Sequence, residues 1–228
     1  MEMEMKKWMN EIGGAFAVTW LIAGITVWND ADNMLMGVSL VGAGMASLGG
    51  MLALGVVWMA FRGADILPIV TWMKMMTGDM SDVEGNWMAN GITLVMQIVG
   101  GVLALVLMGQ LEPSAVTYAQ AFPTGQAAWE FDATAMMGLV AVGAILGHIS
   151  TKVDNDWAMP IAVMTMAGLV NFEGAMDMAS MLVNTAFDDL AAVAIPWILD
   201  GVVVGIGALI AMKIDEALDA DAADASAE

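Results

Sequence analysis

Among the residues able to do chemistry, polar groups standing inside or at the head of apolar stretches come first. Glu11 and Glu130 each stand four positions before a small residue at the start of an apolar run, and Gln97 lies in the middle of one. Such groups are expensive in lipid and are functional candidates by default, so Gln97 must face another helix or a pore. The matching places of Glu11 and Glu130 in two halves of the chain speak for bracing over a proton relay. Asp65, Asp177, Asp188, Asp189 and Asp200 gather around two short apolar segments. A carboxylate-lined cation path is one reading of them; loop edges in water is the plainer one. Met73, Met75, Met76, Met176, Met178 and Met181 could offer thioethers to a soft metal. Met is nevertheless spread through every segment, Met34, Met36, Met136 and Met137 included, as a flexible filler in place of Leu. His148 is the one histidine and there is no cysteine. That argues against His-based catalysis, and it removes thiolate metal sites, Cys nucleophiles and disulfides. With no nucleophile–base pair and no metal-ligand cluster visible, neither an enzyme nor a metal or other cofactor is expected.

The elements that must position these groups are read from apolar runs and basic residues. Six apolar stretches cover roughly Ile12–Trp28, Met34–Phe61, Met88–Gly109, Ala133–His148, Trp157–Phe172 and Ile195–Met212. Most are near the 20 or so residues that a bilayer span requires, and 60% of the 228 residues are hydrophobic. All six basic residues, Lys6, Lys7, Arg62, Lys74, Lys152 and Lys213, fall at the N-terminus, after the second and fourth stretches, or at the C-terminus. The positive-inside rule turns that alternation into an even-pass protein with both termini cytoplasmic, placed in the plasma membrane. The nine Trp residues, Trp8, Trp28, Trp87 and Trp157 among them, mostly flank the stretches as an aromatic belt. The net charge of −19 argues against a nucleic-acid partner and comes in part from residues 215–228, which read as a disordered solvating tail.

Two further apolar segments, Asp65–Met76 and one within Met176–Val193, are long enough for only half a bilayer. Half-length helices among full spans are re-entrant elements, and paired ones at matching places point to a transport site. An odd number of spans per half forces the halves into opposite orientations. The expected fold is therefore all-α, with six transmembrane helices plus two re-entrant half-helices, built from inverted repeats over approximately 8–109 and 128–213. Gly143 with Gly147, Gly201 with Gly205, Gly49-Gly50 and Gly100-Gly101 are small-residue pairs suited to close helix contact.

In this order and spacing the residues resemble the major intrinsic protein family, the aquaporins and glycerol facilitators. Glu11-Ile-Gly-Gly-Ala-Phe16 resembles that family's Glu-x-x-Gly-Thr-Phe, and Met96-Gln97-Ile-Val-Gly100-Gly101 its Ala-Gln-x-x-Gly-Ala. Gly63-Ala64-Asp65-Ile66-Leu67-Pro68-Ile69-Val70-Thr71 resembles its first pore loop, Gly-Ala-His-Leu-Asn-Pro-Ala-Val-Thr. Gly201-Val-Val-Val-Gly205 resembles its Gly-Pro-x-x-Gly. The resemblance implies a homotetramer in membrane lipid with one pore per subunit and passive passage of a small neutral solute. It also implies that Glu11, Glu130 and Gln97 brace the pore loops.

The tips depart from the pattern. The family marks each with Asn-Pro-Ala; here the first aligned triplet is Leu67-Pro68-Ile69. For the second, spacing favours Met178-Ala179-Ser180 and residue identity favours Asn184-Thr185-Ala186. The family's constriction arginine is then replaced by Met181 or Phe187. Few hydrogen-bond donors remain at the tips, so the expected pore is more apolar than a water-selective one. The competing expectation is a non-conducting scaffold that keeps the fold after losing the pore.

Overall fold

The computed structural model describes residues 2–28, 48–111, 130–166 and 174–225. Eight α-helices run through these residues: α1 Glu2–Trp28, α2 Leu48–Ala60, α3 Pro68–Thr77, α4 Ala89–Leu111, α5 Ala133–Lys152, α6 Ala158–Met166, α7 Ala175–Val183 and α8 Leu190–Ala225. A π-helical turn, Val83–Met88, leads into α4, and a 3₁₀ turn, Phe187–Asp189, leads into α8. Val83–Leu111, Ala133–Lys152 and Phe187–Ala220 are long and apolar enough to cross a membrane. The parts of the expected second and fifth spans at 34–47 and 167–172 lie outside the described residues.

Polarity is arranged inside out, as lipid demands. Glu11, Thr19, Thr71, Thr93, Gln97 and Ser180 are buried, whereas Leu52, Val56, Val95 and Leu103 stand about half exposed. In water the second group would be buried first. In a bilayer the polar groups must be enclosed instead.

Contacts repeat between the two halves of the chain. Helix α1 lies along α4 as α5 lies along α8, while α3 packs on α8 and α7 on α4. Each short helix thus rests on the last long helix of the other half. Glycines set these distances. A Cβ at Gly143 would overlap the Val204 carbonyl of α8, and one at Gly207 would overlap the Val140 carbonyl of α5. Gly201 makes room for the Trp72 indole and Gly205 for Met76, which seats α3 on α8. The adjacent Gly100 and Gly101 face different partners: the first meets the α1 backbone at Ile12 and Phe16, the second Ala175 and Ala179 of α7. Without a hydrophobic drive between helices in lipid, this close approach is what binds them.

The turn from α3 to α4 is pinned by side chains. Asn86 Nδ2 donates to the carbonyls of Met75 and Asp79 at 2.9 and 3.1 Å, and Asn90 Nδ2 donates to Asn86 Oδ1 at 2.8 Å. The Ser81 hydroxyl and N–H both donate to Asp79 and hold its exposed carboxyl below the usual range. That small contribution is present above the ordinary carboxylate pKa and is lost as pH falls through the lowered value.

Residues 215–225 correct the expectation of a disordered tail, because α8 continues through them as helix. Alanine between the acids supplies helix propensity. The first turn of the extension is tied down: Asp215 meets His148 Nδ1 at 3.1 Å and Lys152 Nζ at 3.6 Å, and Lys213 pairs with Glu216 at 2.8 Å.

The packing predicts that Gly143→Leu destabilises the fold by about 1–3 kcal/mol or more, because the obstructing atom is backbone and cannot rotate away. Gly91→Ala, where a Cβ meets nothing within 4 Å, is expected to be neutral or mildly stabilising. Thermal unfolding of the two variants in one detergent checks both.

Candidate functional site

Helix α3 begins with Pro68 at its first position, where the missing N–H is no loss and φ is preset for a helix. The N-cap is Leu67 in an extended conformation, and its side chain offers no cap to the free amides. The turn before it is strained. Leu67 N–H donates back to Asp65 O at 2.7 Å around Ile66, which stands at φ 66. That is a γ-turn with a β-branched residue in the left-handed region, a conformation that persists only where its surroundings over-determine it.

Glu11 supplies that determination. Asp65 N–H donates to Glu11 Oε1 at 2.6 Å and Ile66 N–H to Oε2 at 3.0 Å. One helical turn further along α1, Gly14 leaves room for the Ile66 side chain, which a Cβ there would meet at 2.8 Å. Glu11 and Gly14 therefore act as a pair, one bonding the loop and the other admitting it. Gln97 of α4 completes the brace, its Nε2 donating to Glu11 Oε2 at 3.0 Å and to Thr71 Oγ1 of α3 at 2.9 Å. Thus α1, the loop and α4 meet at one buried carboxylate, and Gln97 joins α3 to them. Asp65 is also buried, and its Oδ1 pairs with Lys74 from the next turns of α3.

The second short helix departs from the sequence reading. It begins at Ala175 with Gly174 as N-cap, upstream of both expected registers. Met178, Ala179 and Ser180 are mid-helix, and Asn184 is the C-cap, its Nδ2 donating to Ser180 O at 2.8 Å. Thr185 follows at φ 53, then Ala186 and the 3₁₀ turn that holds Phe187. Asn184-Thr185-Ala186 therefore lies at the end opposite the tip. Residue identity misled there because Asn favours helix C-caps and left-handed turns as readily as N-caps. Met181 is buried within α7, whereas Phe187 is 58% exposed, so neither is brought to the N-terminus of that helix. Three residues after the N-cap stands Asp177, whose Oδ2 accepts the Gly174 N–H at 2.6 Å. An acid at that spacing is an N-terminus signature and could have located the tip from sequence. Glu130 is exposed, two residues before the N-cap Asp132 of α5, and has no hydrogen bond to α7 among the described residues.

Apart from the cluster of Met176 and Ala179 of α7 with Leu105 and Met108 of α4, two apolar clusters enclose the short helices. Met75 and Trp72 of α3 and Met178 of α7 share one with Leu94 and Ile98 of α4 and Trp197 of α8. Ile66, Ile69 and Val70 share the other with residues of α1, α2, α5, α6 and α8, and Leu67 packs against it.

No protein-family model and no curated protein matches the chain. Its structure is similar to the X-ray structure of the aquaglyceroporin from Plasmodium falciparum, with a TM-score of 0.54 and 14% sequence identity over 92% of this chain and 94% of that one. The fold is aquaporin-like.

Removing the brace leaves three buried donors, the N–H groups of Asp65 and Ile66 and Gln97 Nε2, short of an acceptor. At about 1–3 kcal/mol per stranded group, Glu11→Ala is expected to cost roughly 3 kcal/mol or more in thermal unfolding. It is also expected to raise amide exchange at 64–67 before exchange rises elsewhere. Glu11→Gln, which keeps one acceptor oxygen, falls between.

Proposed function

We propose that this chain is an aquaporin-like membrane channel for passive transport of a small neutral solute, a glycerol-like polyol or a gas before water. Six spans and two re-entrant half-helices in an inverted repeat form a homotetramer in the plasma membrane, with both termini cytoplasmic. The observation that carries the reading is the Glu11–Gln97 brace, which holds a short helix by its N-terminus inside an aquaporin-like fold. A strained, buried loop held in this way is suited to presenting a helix end to an interior path.

The solute preference follows from the chemistry of that end. A lumen selects water by offering donors and acceptors in place of the hydration it strips away. Here the tip offers Leu67, Pro68 and Ile69. At the second short helix the family's Asn-Pro-Ala-Arg is matched by Gly174-Ala175-Met176-Asp177, so an acid stands where the resemblance expects the constriction arginine. Side-chain donors are absent from both triplets. Water passes such a surface poorly because it dewets, whereas a less polar solute or a gas loses less on entering.

One observation favours the second reading, a non-conducting aquaporin-fold scaffold. Ile66 and Ile69 are each 1% exposed and lie in a cluster contributed by α1, α2, α3, α5, α6 and α8, the elements that would surround a lumen. Stopped-flow measurement on proteoliposomes separates the two. Passage of glycerol or CO₂ above protein-free vesicles, with water near background, supports the channel; background values for all three support the scaffold.

Leu67→Asn is the sharper probe. An Asn at the N-cap can accept a backbone N–H with its oxygen and still point its amide donors at a solute. The variant is expected to be more stable by about 1 kcal/mol and to pass water several-fold faster than the natural chain. A gain in stability with no gain in water flux would remove Leu67 from the pore.

A further inference from the structure

Lys74 and Asp65 form an ion pair of unequal surroundings. The Asp65 side chain is wholly buried, while that of Lys74 is 57% exposed. The amino group therefore reaches a buried carboxylate from the solvent side, along a path that its own stem occupies. Asp65 Oδ1 receives it, and Asp65 Oδ2 is buried with no partner. Beside it Glu11 is fully enclosed, with its oxygens engaged by Asp65 N–H, Ile66 N–H and Gln97 Nε2. The other end of the Gln97 amide, Oε1, is likewise buried without a donor. The Lys74 amino group thus meets one of two neighbouring carboxylates, while Asp65 Oδ2 and Gln97 Oε1 have no hydrogen-bond partner. Enclosed oxygen donors with a carboxylate among them suit a hard cation, and the group that stands there carries a single positive charge. An ammonium on a flexible four-carbon stem is a compact, strongly hydrated point charge of the same kind.

We infer that the buried Asp65 carboxylate, beside Glu11 and Gln97, is a monovalent-cation site at the first short helix, and that the Lys74 amino group is its tethered occupant, keeping free cations out. The site stands on its own geometry; only its placement at a channel mouth rests on the function proposed above. The resemblance expects a fixed cation near the second short helix, where this chain carries Asp177. Lys74 supplies a positive side chain at the first short helix instead.

The test is Lys74→Gln, at a side chain more than half in solvent, with Lys74→Arg as the variant that keeps a tethered charge. Thermal unfolding of the purified full chain is followed in KCl and in choline chloride at equal ionic strength, choline being too large for the site. Lys74→Gln is expected to gain about 3 °C or more in KCl over choline chloride, since a bound cation stabilises by mass action. The natural chain, Lys74→Arg and the double variant Asp65→Asn with Lys74→Gln are expected to show no difference between the salts. Equal unfolding of Lys74→Gln in both salts overturns the site, as does a potassium response that survives Asp65→Asn. Glycerol and CO₂ flux on the same preparations keeps the two ideas apart. Potassium stabilisation without any flux sinks the channel and leaves the site, whereas flux without potassium stabilisation does the reverse.

Discussion

A chain in lipid can break its helical hydrogen bonding only where something else receives the freed N–H groups, since each left bare costs several kcal/mol. Between α2 and α3 this chain breaks it sharply, turning around Ile66 at φ 66 to aim a ten-residue helix back into the protein. The donors freed at Asp65 and Ile66 go to one carboxylate, Glu11, and that carboxylate is fixed from its far side by Gln97. The direction of α3, the depth of its N-terminus and the side chains it presents are all set by this one set of bonds. The burial of Glu11 is the condition for its strength, because water would compete for the same oxygens and screen them.

Close backbone packing is the complement of that brace. Gln97 reaches Glu11 because Gly100, one turn on, lets α4 approach the backbone of α1 at Ile12 and Phe16. Gly101 then brings α7 against the same helix, and Gly201 with Gly205 brings α3 against α8. The start of α3 is gripped by hydrogen bonds, and each short helix is held along its length by a glycine-lined face of the opposite half. A side chain added at those glycines would move the short helix and, with it, the strained turn that the hydrogen bonds hold.

Some of this was legible in the sequence and some was not, for physical reasons. Glu11, Gln97 and Pro68 stand out in the sequence because a polar group or a proline inside an apolar run has few permitted uses, while the loop-bracing expectation for the first two comes from the family resemblance. Gly143 and Gly201 could be read as contact residues, although Gly143 meets Val204 and Gly201 meets Trp72, which the pairing of glycine with glycine did not foretell. The second short helix starts upstream of both registers, because spacing points to Met178-Ala179-Ser180 in mid-helix and identity to Asn184, which closes the helix that Gly174 opens. Asp177, three residues after that glycine, is one acid of a cluster in the sequence and a helix-start acceptor in the fold. The pairing of Asp65 with Lys74 could not be read at all: a turn of unknown shape separates the acid from the helix that carries the lysine. In the acidic tail, charge repulsion argues for disorder, while the alanines between the charges favour the helix that runs to Ala225.

The acids at the two helix starts bear on what kind of interior this is. A helix N-terminus carries roughly half a positive charge, and two of them facing a common interior would repel cations without any side chain taking part. Asp65 lies two residues before the N-cap of α3, and Asp177 lies in the first turn of α7. Both stabilise their helices, and both lower the positive potential at the places where the resemblance would raise it. The first acid is answered by Lys74, whose charge stays partly in water. On the proposed reading the barrier to cations thus shifts from backbone dipoles fixed within the protein to a lysine on a flexible stem. Neutral solutes would meet mainly the apolar groups, Leu67, Ile69 and their cluster, so charge and polarity would be screened by different residues of one loop.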